Sequence, residues 1–144
     1  MIILDGGLGR QLKAMGAPFR QPEWSALALM EGPEFVRAAH DAFIESGAAI
    51  ITTNSYAVVP FHIGEVLFRD RAGTLLDLAG QLARDAADAA PHPVKVAAGV
   101  PPMFGSYQPD KFDAGRAAEM IGLFRQQLDP YADFFMAETH SSIA

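Results

Sequence analysis

Short apolar runs rich in β-branched residues recur along this chain and predict buried strands. In chain order they are Ile2–Leu4, Ala48–Thr53, Val94–Val100 and Asp133–Ala137. They are continuous apolar runs rather than two-sided alternations, which is typical of parallel strands covered on both faces. The pattern therefore predicts four strands.

Helical periodicity fills the gaps between these runs. Helices are predicted from Pro33 to Gly47, from about Asp70 to Ala90 and from about Asp113 to Leu128. Strict alternation of strand and helix predicts an α/β fold, in which parallel strands are joined by right-handed crossovers. Two architectures fit: a doubly wound open sheet, or consecutive parallel β/α units of a (β/α)8 barrel. No linker divides residues 1–144, so one domain is expected.

Polar or conformationally permissive residues follow each of the four predicted strands. They are Asp5, Gly6 and Gly7 after the first, Asn54 and Tyr56 after the second, the run "GVPPMFGSY" after the third, and Glu138 after the fourth. In both candidate architectures, ligands bind at the carboxyl ends of the strands. Two carboxylates there favour a ligand with cationic or N–H character over a phosphate.

Each of these residues also has a simpler structural interpretation. Asp5 is suited to capping the next helix, and Glu138 to a solvated loop. Asn54 is a common turn residue. Tyr56 and Trp24 are equally suited to packing in the interior. The residue pattern alone leaves these alternatives open.

Two further motifs do not carry a site. The "GGLG" run at residues 6–9 fails the dinucleotide-binding spacing, because Leu8 and Gln11 occupy required glycine positions. A flavodoxin-like nucleotide-binding sheet is therefore the weakest alternative. His140 lies two positions after Glu138, but two groups are too few to hold a metal ion. No catalytic and no metal-binding residue is predicted.

Charge, apolar run length and cysteine content exclude several classes of partner and site. A net charge of -6 and a pI near 5.0 disfavour nucleic acid and anionic membranes as partners. The sequence has no apolar run of about 18 residues and no signal-like leader, so a cytoplasmic location is expected. Cysteine is absent, which excludes disulfides, thiol nucleophiles and zinc sites built on thiolates.

Four segments together resemble the N-terminal part of the homocysteine S-methyltransferase family: "LDGGLGRQLKAMG", "PEWSALAL", "SGAAIITTNSYAV" and "MAETHSSIA". The resemblance implies a (β/α)8 barrel. It also implies a zinc ion that binds the homocysteine sulfur, and a methyl donor that is a sulfonium, an ammonium or a folate. Thiolate attack on the donor methyl group would give methionine. Asn54 and Tyr56 lie in the motif at the end of the second strand.

The resemblance assigns roles to the candidate residues. Asp5 and Glu138 resemble the acids that hold the amino group of homocysteine. The diglycine at residues 6–7 would let the backbone approach the amino acid closely. Trp24 and Tyr56 correspond to aromatics near the methyl donor, where ring faces attract a cation.

The chain departs from the family in two respects. The family's zinc is held by three cysteines from the second half of the barrel, and this sequence contains none. A complete barrel needs about 250 residues, whereas this chain has 144. We therefore expect the N-terminal half of a barrel that is inactive by itself: a fragment, a catalytically dead binding module, or a subunit that self-associates or pairs with a complementary half barrel.

Overall fold

A computed structural model describes residues 1–140, in which helices and parallel strands alternate. The helices are α1 (Leu8–Ala14), α2 (Ala26–Glu31), α3 (Pro33–Glu45), α4 (Pro60–Ile63), α5 (Glu65–Asp88) and α6 (Ala114–Leu128). The strands are β1 (Ile50–Thr52), β2 (Lys95–Val100) and β3 (Phe134–Ala137). A single 3-10 turn spans Pro109–Lys111.

The three strands form a parallel sheet in the order β1-β2-β3. The prediction of a strand at Ile2–Leu4 needs correction, because this segment contributes only one parallel bridge, between Leu4 and Ile50. In this bridge Ile50 N–H donates to Ile3 O at 3.3 Å and Asp5 N–H donates to Ile50 O at 2.9 Å, and Ala49 N–H also donates to Ile3 O at 2.8 Å. The segment therefore pairs with β1 through Leu4 alone and does not form a strand of its own.

The long helices lie close to their predicted bounds. Helix α3 begins at Pro33, as predicted, whereas α5 begins at Glu65, ahead of the predicted Asp70. Helix α6 is capped by Asp113, whose side chain accepts a hydrogen bond from Arg116 N–H at 2.8 Å. Helices α2 and α4 were not predicted, because four to six residues carry too little periodicity to be recognised.

The core lies between the helices and one face of the sheet. Its largest fully buried side chains include Phe124, Leu12, Leu75 and Leu76. Helix α5 packs against α3, α6 and the first two strands, and its buried alanines allow this close approach. This packing aligns the three strands so that their carboxyl ends meet at one edge. Among residues 1–140, no helix has the length and apolarity to cross a membrane.

Candidate substrate site

A cavity of about 640 Å³ opens at the carboxyl ends of the strands. Its volume falls within the roughly 300–1,000 Å³ typical of ligand pockets. All seven residues predicted from the sequence line it: Asp5, Gly6, Gly7, Trp24, Asn54, Tyr56 and Glu138. The structure thus brings the candidates together, while their binding of a substrate stays a prediction.

Asp5 is half-buried and joins the first segment to β1. Its carboxylate accepts hydrogen bonds from Thr52 N–H at 2.7 Å and from the Thr52 hydroxyl at 3.0 Å. The alternative that Asp5 caps α1 is wrong, because Gly7 is the N-cap and no side chain caps that helix. Burial raises the pKa of Asp5 above its ordinary value, and the two bonds from Thr52 offset part of this effect.

Glu138 follows β3 and is also half-buried. Burial raises its pKa, and the negative charge of Asp5 raises it further. Glu138 is therefore not a solvated loop residue. Its carboxylate and that of Asp5 repel each other electrostatically within one cavity. An acidic pair of this kind favours a cationic group between its members.

Gly99 in β2 makes room for this carboxylate, a role that our sequence analysis missed. A Cβ at this position would lie 2.5 Å from Glu138 Oε1 and 3.2 Å from Thr52 Cγ2. The available signal was an isolated glycine inside a predicted strand, which often marks a close approach by another group.

The polar residues 53–55, which follow β1, form hydrogen bonds to β2 and to the start of α2. The Ser55 hydroxyl donates to Gly99 O at 2.6 Å, and Gly99 N–H donates to Thr53 Oγ1 at 3.1 Å. The two hydroxyls of Thr53 and Ser55 lie 2.8 Å apart. Asn54 Nδ2 donates to Ser25 O at 2.9 Å. Asn54 therefore serves as a structural tie to the start of α2 while it also lines the cavity.

Trp24 and Tyr56 separate the first cavity from a second one of about 500 Å³, and line both. Trp24 is 45% exposed, so it is not an interior packing aromatic. Its φ of 49° lies in the left-handed region, which is costly for a bulky residue. The Tyr56 hydroxyl lies 2.6 Å from Ser106 Oγ, which fixes the ring at the boundary.

His62 adds an imidazole to this aromatic boundary, and nothing in the sequence pattern indicated it. Its ring centroid lies 6.1 Å from that of Trp24 and 6.3 Å from that of Tyr56. Its Nδ1 lies 3.0 Å from Pro22 O, and because a carbonyl only accepts, the proton is on Nδ1. Burial lowers the pKa of His62, and the bond to Pro22 offsets part of the shift. The neutral ring leaves the aromatic cluster open to a cation.

Comparison with known families decides the identity. The family model described as homocysteine S-methyltransferase matches residues 2–144. The chain belongs to the homocysteine S-methyltransferase family.

Individual curated relatives align with this chain over part of their length. Homocysteine S-methyltransferase 1 of Arabidopsis thaliana is 36% identical over 87 residues, which is 60% of this chain and 27% of that protein. The selenocysteine methyltransferase of Astragalus bisulcatus is 37% identical over 87 residues, which is 60% of this chain and 26% of that protein.

The metallated form of the homocysteine methyltransferase MmuM from Escherichia coli superposes with a TM-score of 0.77 and 29% identity. The match covers 96% of this chain and 54% of MmuM. The chain thus spans about half of this solved structure, and the aligned region spans about a quarter of the curated relatives. The likeness confirms parallel β/α units forming about half of a (β/α)8 barrel, rather than a doubly wound sheet.

The residues of this homocysteine S-methyltransferase family member do not fit the zinc that the resemblance implies. Within residues 1–140, no group of three His, Cys, Asp or Glu side chains is placed to hold a metal ion. The sequence contains no cysteine. The His140 ring instead places Nε2 3.0 Å from Val100 O. We therefore derive no step through zinc for these residues.

Proposed function

We propose that this chain forms the amino-acid-binding wall of a homocysteine S-methyltransferase site. The observation that carries the proposal is the meeting of Asp5 and Glu138 in one cavity, although they lie at opposite ends of the described chain. Burial and mutual repulsion raise the pKa of Glu138. A bound ammonium group neutralises that repulsion and stabilises both carboxylates in their charged form. The exposed diglycine at residues 6–7 adds backbone groups beside Asp5.

In the proposed reaction the homocysteine sulfur, after loss of its proton, attacks the methyl carbon of the donor. A new S–C bond forms, the bond from the methyl group to the donor breaks, and the donor leaves with that electron pair. The product is methionine, so the proposed reaction is a step of methionine biosynthesis. Trp24 and Tyr56 border the second cavity and suit a sulfonium or quaternary ammonium donor there; a folate donor is the alternative. The free thiol that the reaction needs fits a reducing compartment such as the cytoplasm.

We also propose that zinc and its ligands come from outside the described residues, so that the 144-residue chain does not turn over by itself. Its lack of cysteine supports this proposal. The apolar segment at the edge of the sheet supports pairing with a complementary β/α half, because Ile2 is 72% exposed. Incubation of the chain with homocysteine, S-methylmethionine and zinc should yield no methionine. Turnover under these conditions would refute the proposal.

The binding proposal is tested by NMR titration of the chain with L-homocysteine. Asp5→Asn and Glu138→Gln should each weaken binding roughly tenfold, the loss expected for one charge-assisted hydrogen bond. Asp110→Asn, which removes an exposed charge outside the cavity, is the matched control. Unchanged affinity in both cavity variants would contradict the assignment.

A catalytically dead binding module is the second candidate. The absence of a metal-holding group from residues 1–140 favours it. The two candidates differ when the chain is mixed with the C-terminal half of a cysteine-bearing relative and zinc. Methionine formation in that mixture supports a split or partial enzyme, whereas homocysteine binding without turnover supports the binding module.

A further inference from the structure

The cavity has basic residues as well as acidic ones. Arg10 and Lys13 lie one turn apart on α1 and both line the cavity. The Arg10 side chain lies against the second glycine of the diglycine, since its Cβ, Cγ and Cδ lie 3.9 to 4.0 Å from the position of a Cβ at Gly7. Its stem therefore lies beside Gly7, two residues after Asp5, in the lining of the cavity. Neither base was predicted from the sequence, although their helical spacing was available as a signal.

Within residues 1–140, neither base forms an ion pair with a carboxylate. Residues 1–140 form six ion pairs, and their basic members are Arg20, Arg37, Arg69, Arg84 (in two pairs) and Arg116. Arg10 and Lys13 take part in none of them. Their charges remain available to an anionic ligand in the cavity.

We infer that Arg10 and Lys13 bind the α-carboxylate of the amino-acid acceptor and make the cavity selective for a zwitterion. The inference rests on the proposed function, in which Asp5 and Glu138 bind the ammonium group. A guanidinium presents a planar fork that matches a carboxylate, and the lysine adds a point charge beside it.

The balance of charge favours a zwitterion over a ligand of one sign. The cavity carries two acids and two bases, so a purely cationic or purely anionic ligand leaves one pair without a partner. The ammonium and carboxylate of an amino acid share one carbon atom. When both are held by these four residues, the thiol-bearing chain extends toward the rest of the lining, which includes Trp24 and Tyr56. This orientation directs the sulfur to the aromatic side of the cavity.

Three ligands separate the contributions of the two charged groups. L-homocysteine carries both, 3-aminopropane-1-thiol lacks the carboxylate, and 4-mercaptobutanoate lacks the ammonium. NMR titration of the 144-residue chain measures each affinity, and no mixed disulfide with the protein forms because the chain has no cysteine. The unmodified chain should prefer homocysteine to each analogue by roughly tenfold.

The double variant Arg10→Gln/Lys13→Gln should lose its preference for homocysteine over 3-aminopropane-1-thiol while it keeps the preference over 4-mercaptobutanoate. The variant Glu138→Gln should show the reverse pattern. Arg125→Gln, an exposed base on α6 outside the cavity, is the matched control and should behave like the unmodified chain. Both substituted bases are exposed and form no ion pair within the described part of the chain, so the melting temperature should stay close to that of the unmodified chain.

The failures of the two proposals are distinguishable. If the double variant keeps its preference over 3-aminopropane-1-thiol, or loses affinity equally for both ligands, the carboxylate assignment is overturned and the amino-acid site stands. If the unmodified chain does not prefer homocysteine to 4-mercaptobutanoate, the ammonium site fails, and the proposed function fails with it. A variant that does not fold is replaced by each single substitution under the same criteria.

Discussion

At the scale of single residues, the absence of a side chain at Gly99 allows the Glu138 carboxylate to occupy its position in the cavity. In Gly99→Ala the new methyl group would meet Glu138 Oε1 at 2.5 Å. The carboxylate is the mobile end of a side chain, so it should move aside at a stability cost of about 1–2 kcal/mol, which is typical of mild overpacking. Homocysteine affinity should fall by roughly tenfold, because the displaced Glu138 carboxylate no longer binds the ammonium group. Urea denaturation and NMR titration measure the two effects.

Gly122→Ala on α6 is the control for this substitution, because a Cβ there meets nothing within 4 Å. It should stabilise the chain by about 0.5–1 kcal/mol through helix propensity and leave binding unchanged. A Gly99→Ala variant that keeps full affinity would show that the carboxylate need not occupy its present position.

His40 provides a second prediction at this scale. Its side chain is 0% exposed, and neither ring nitrogen has a hydrogen-bond partner among residues 1–140. Burial lowers the pKa of His40 to about 4, while Asp41 raises it and Arg37 lowers it slightly. Between pH 6.5 and about 4 the unfolded chain binds a proton that the folded chain does not, so stability should fall as the pH drops. The loss is on the order of 3 kcal/mol.

His40→Leu should remove this acid sensitivity and be at least as stable at pH 7, since it replaces an unpartnered polar ring with an apolar side chain. Urea denaturation at pH 7 and pH 4.5 gives the difference, with His92→Gln as a half-buried histidine control. Equal pH dependence in the original and His40→Leu chains would contradict the prediction.

At the scale of elements, Asp5 connects the first apolar segment to β1. Asp5→Ala should leave Thr52 N–H without its partner and cost about 1–3 kcal/mol of unfolding free energy. Asp5→Asn keeps an oxygen that accepts from Thr52 N–H and should cost less, while both substitutions weaken homocysteine binding. Urea denaturation separates the two variants. An equal loss of stability in both would mean that the charge, and not the hydrogen bond, holds the segment.

At the scale of the whole molecule, apolar side chains are exposed at both edges of the sheet. They are Ile2, Ile3 and Leu4 on one edge and Phe134 and Phe135 on the other. Unpaired strand edges with apolar side chains favour association. The purified chain should therefore show a mass that rises with concentration in analytical ultracentrifugation. Ile2→Lys combined with Phe135→Lys should shift it toward the monomer, whereas Val66→Lys, at an exposed position on α5, should not.

Particular elements mark the limit of what the pattern predicts. Helix α3 follows from its periodicity, because it buries one face, and strands β1 to β3 follow from continuous apolar runs. Helices α2 and α4 do not, because they are too short to display a period. The segment at Ile2–Leu4 has strand-forming residues, yet it forms only one bridge, and the extent of pairing depends on the tertiary placement of the partner, which a local pattern does not contain.

The sequence by itself determined the alternation of strand and helix and the seven residues that line one cavity. Only the tertiary structure decided that Asp5 bonds to Thr52 instead of capping a helix, that Gly99 makes space for Glu138, and that Arg10, Lys13 and His62 border the same region. The physical reason is the range of the interactions. Periodicity and turn chemistry act over a few residues, whereas charge balance and close packing join groups far apart in the chain.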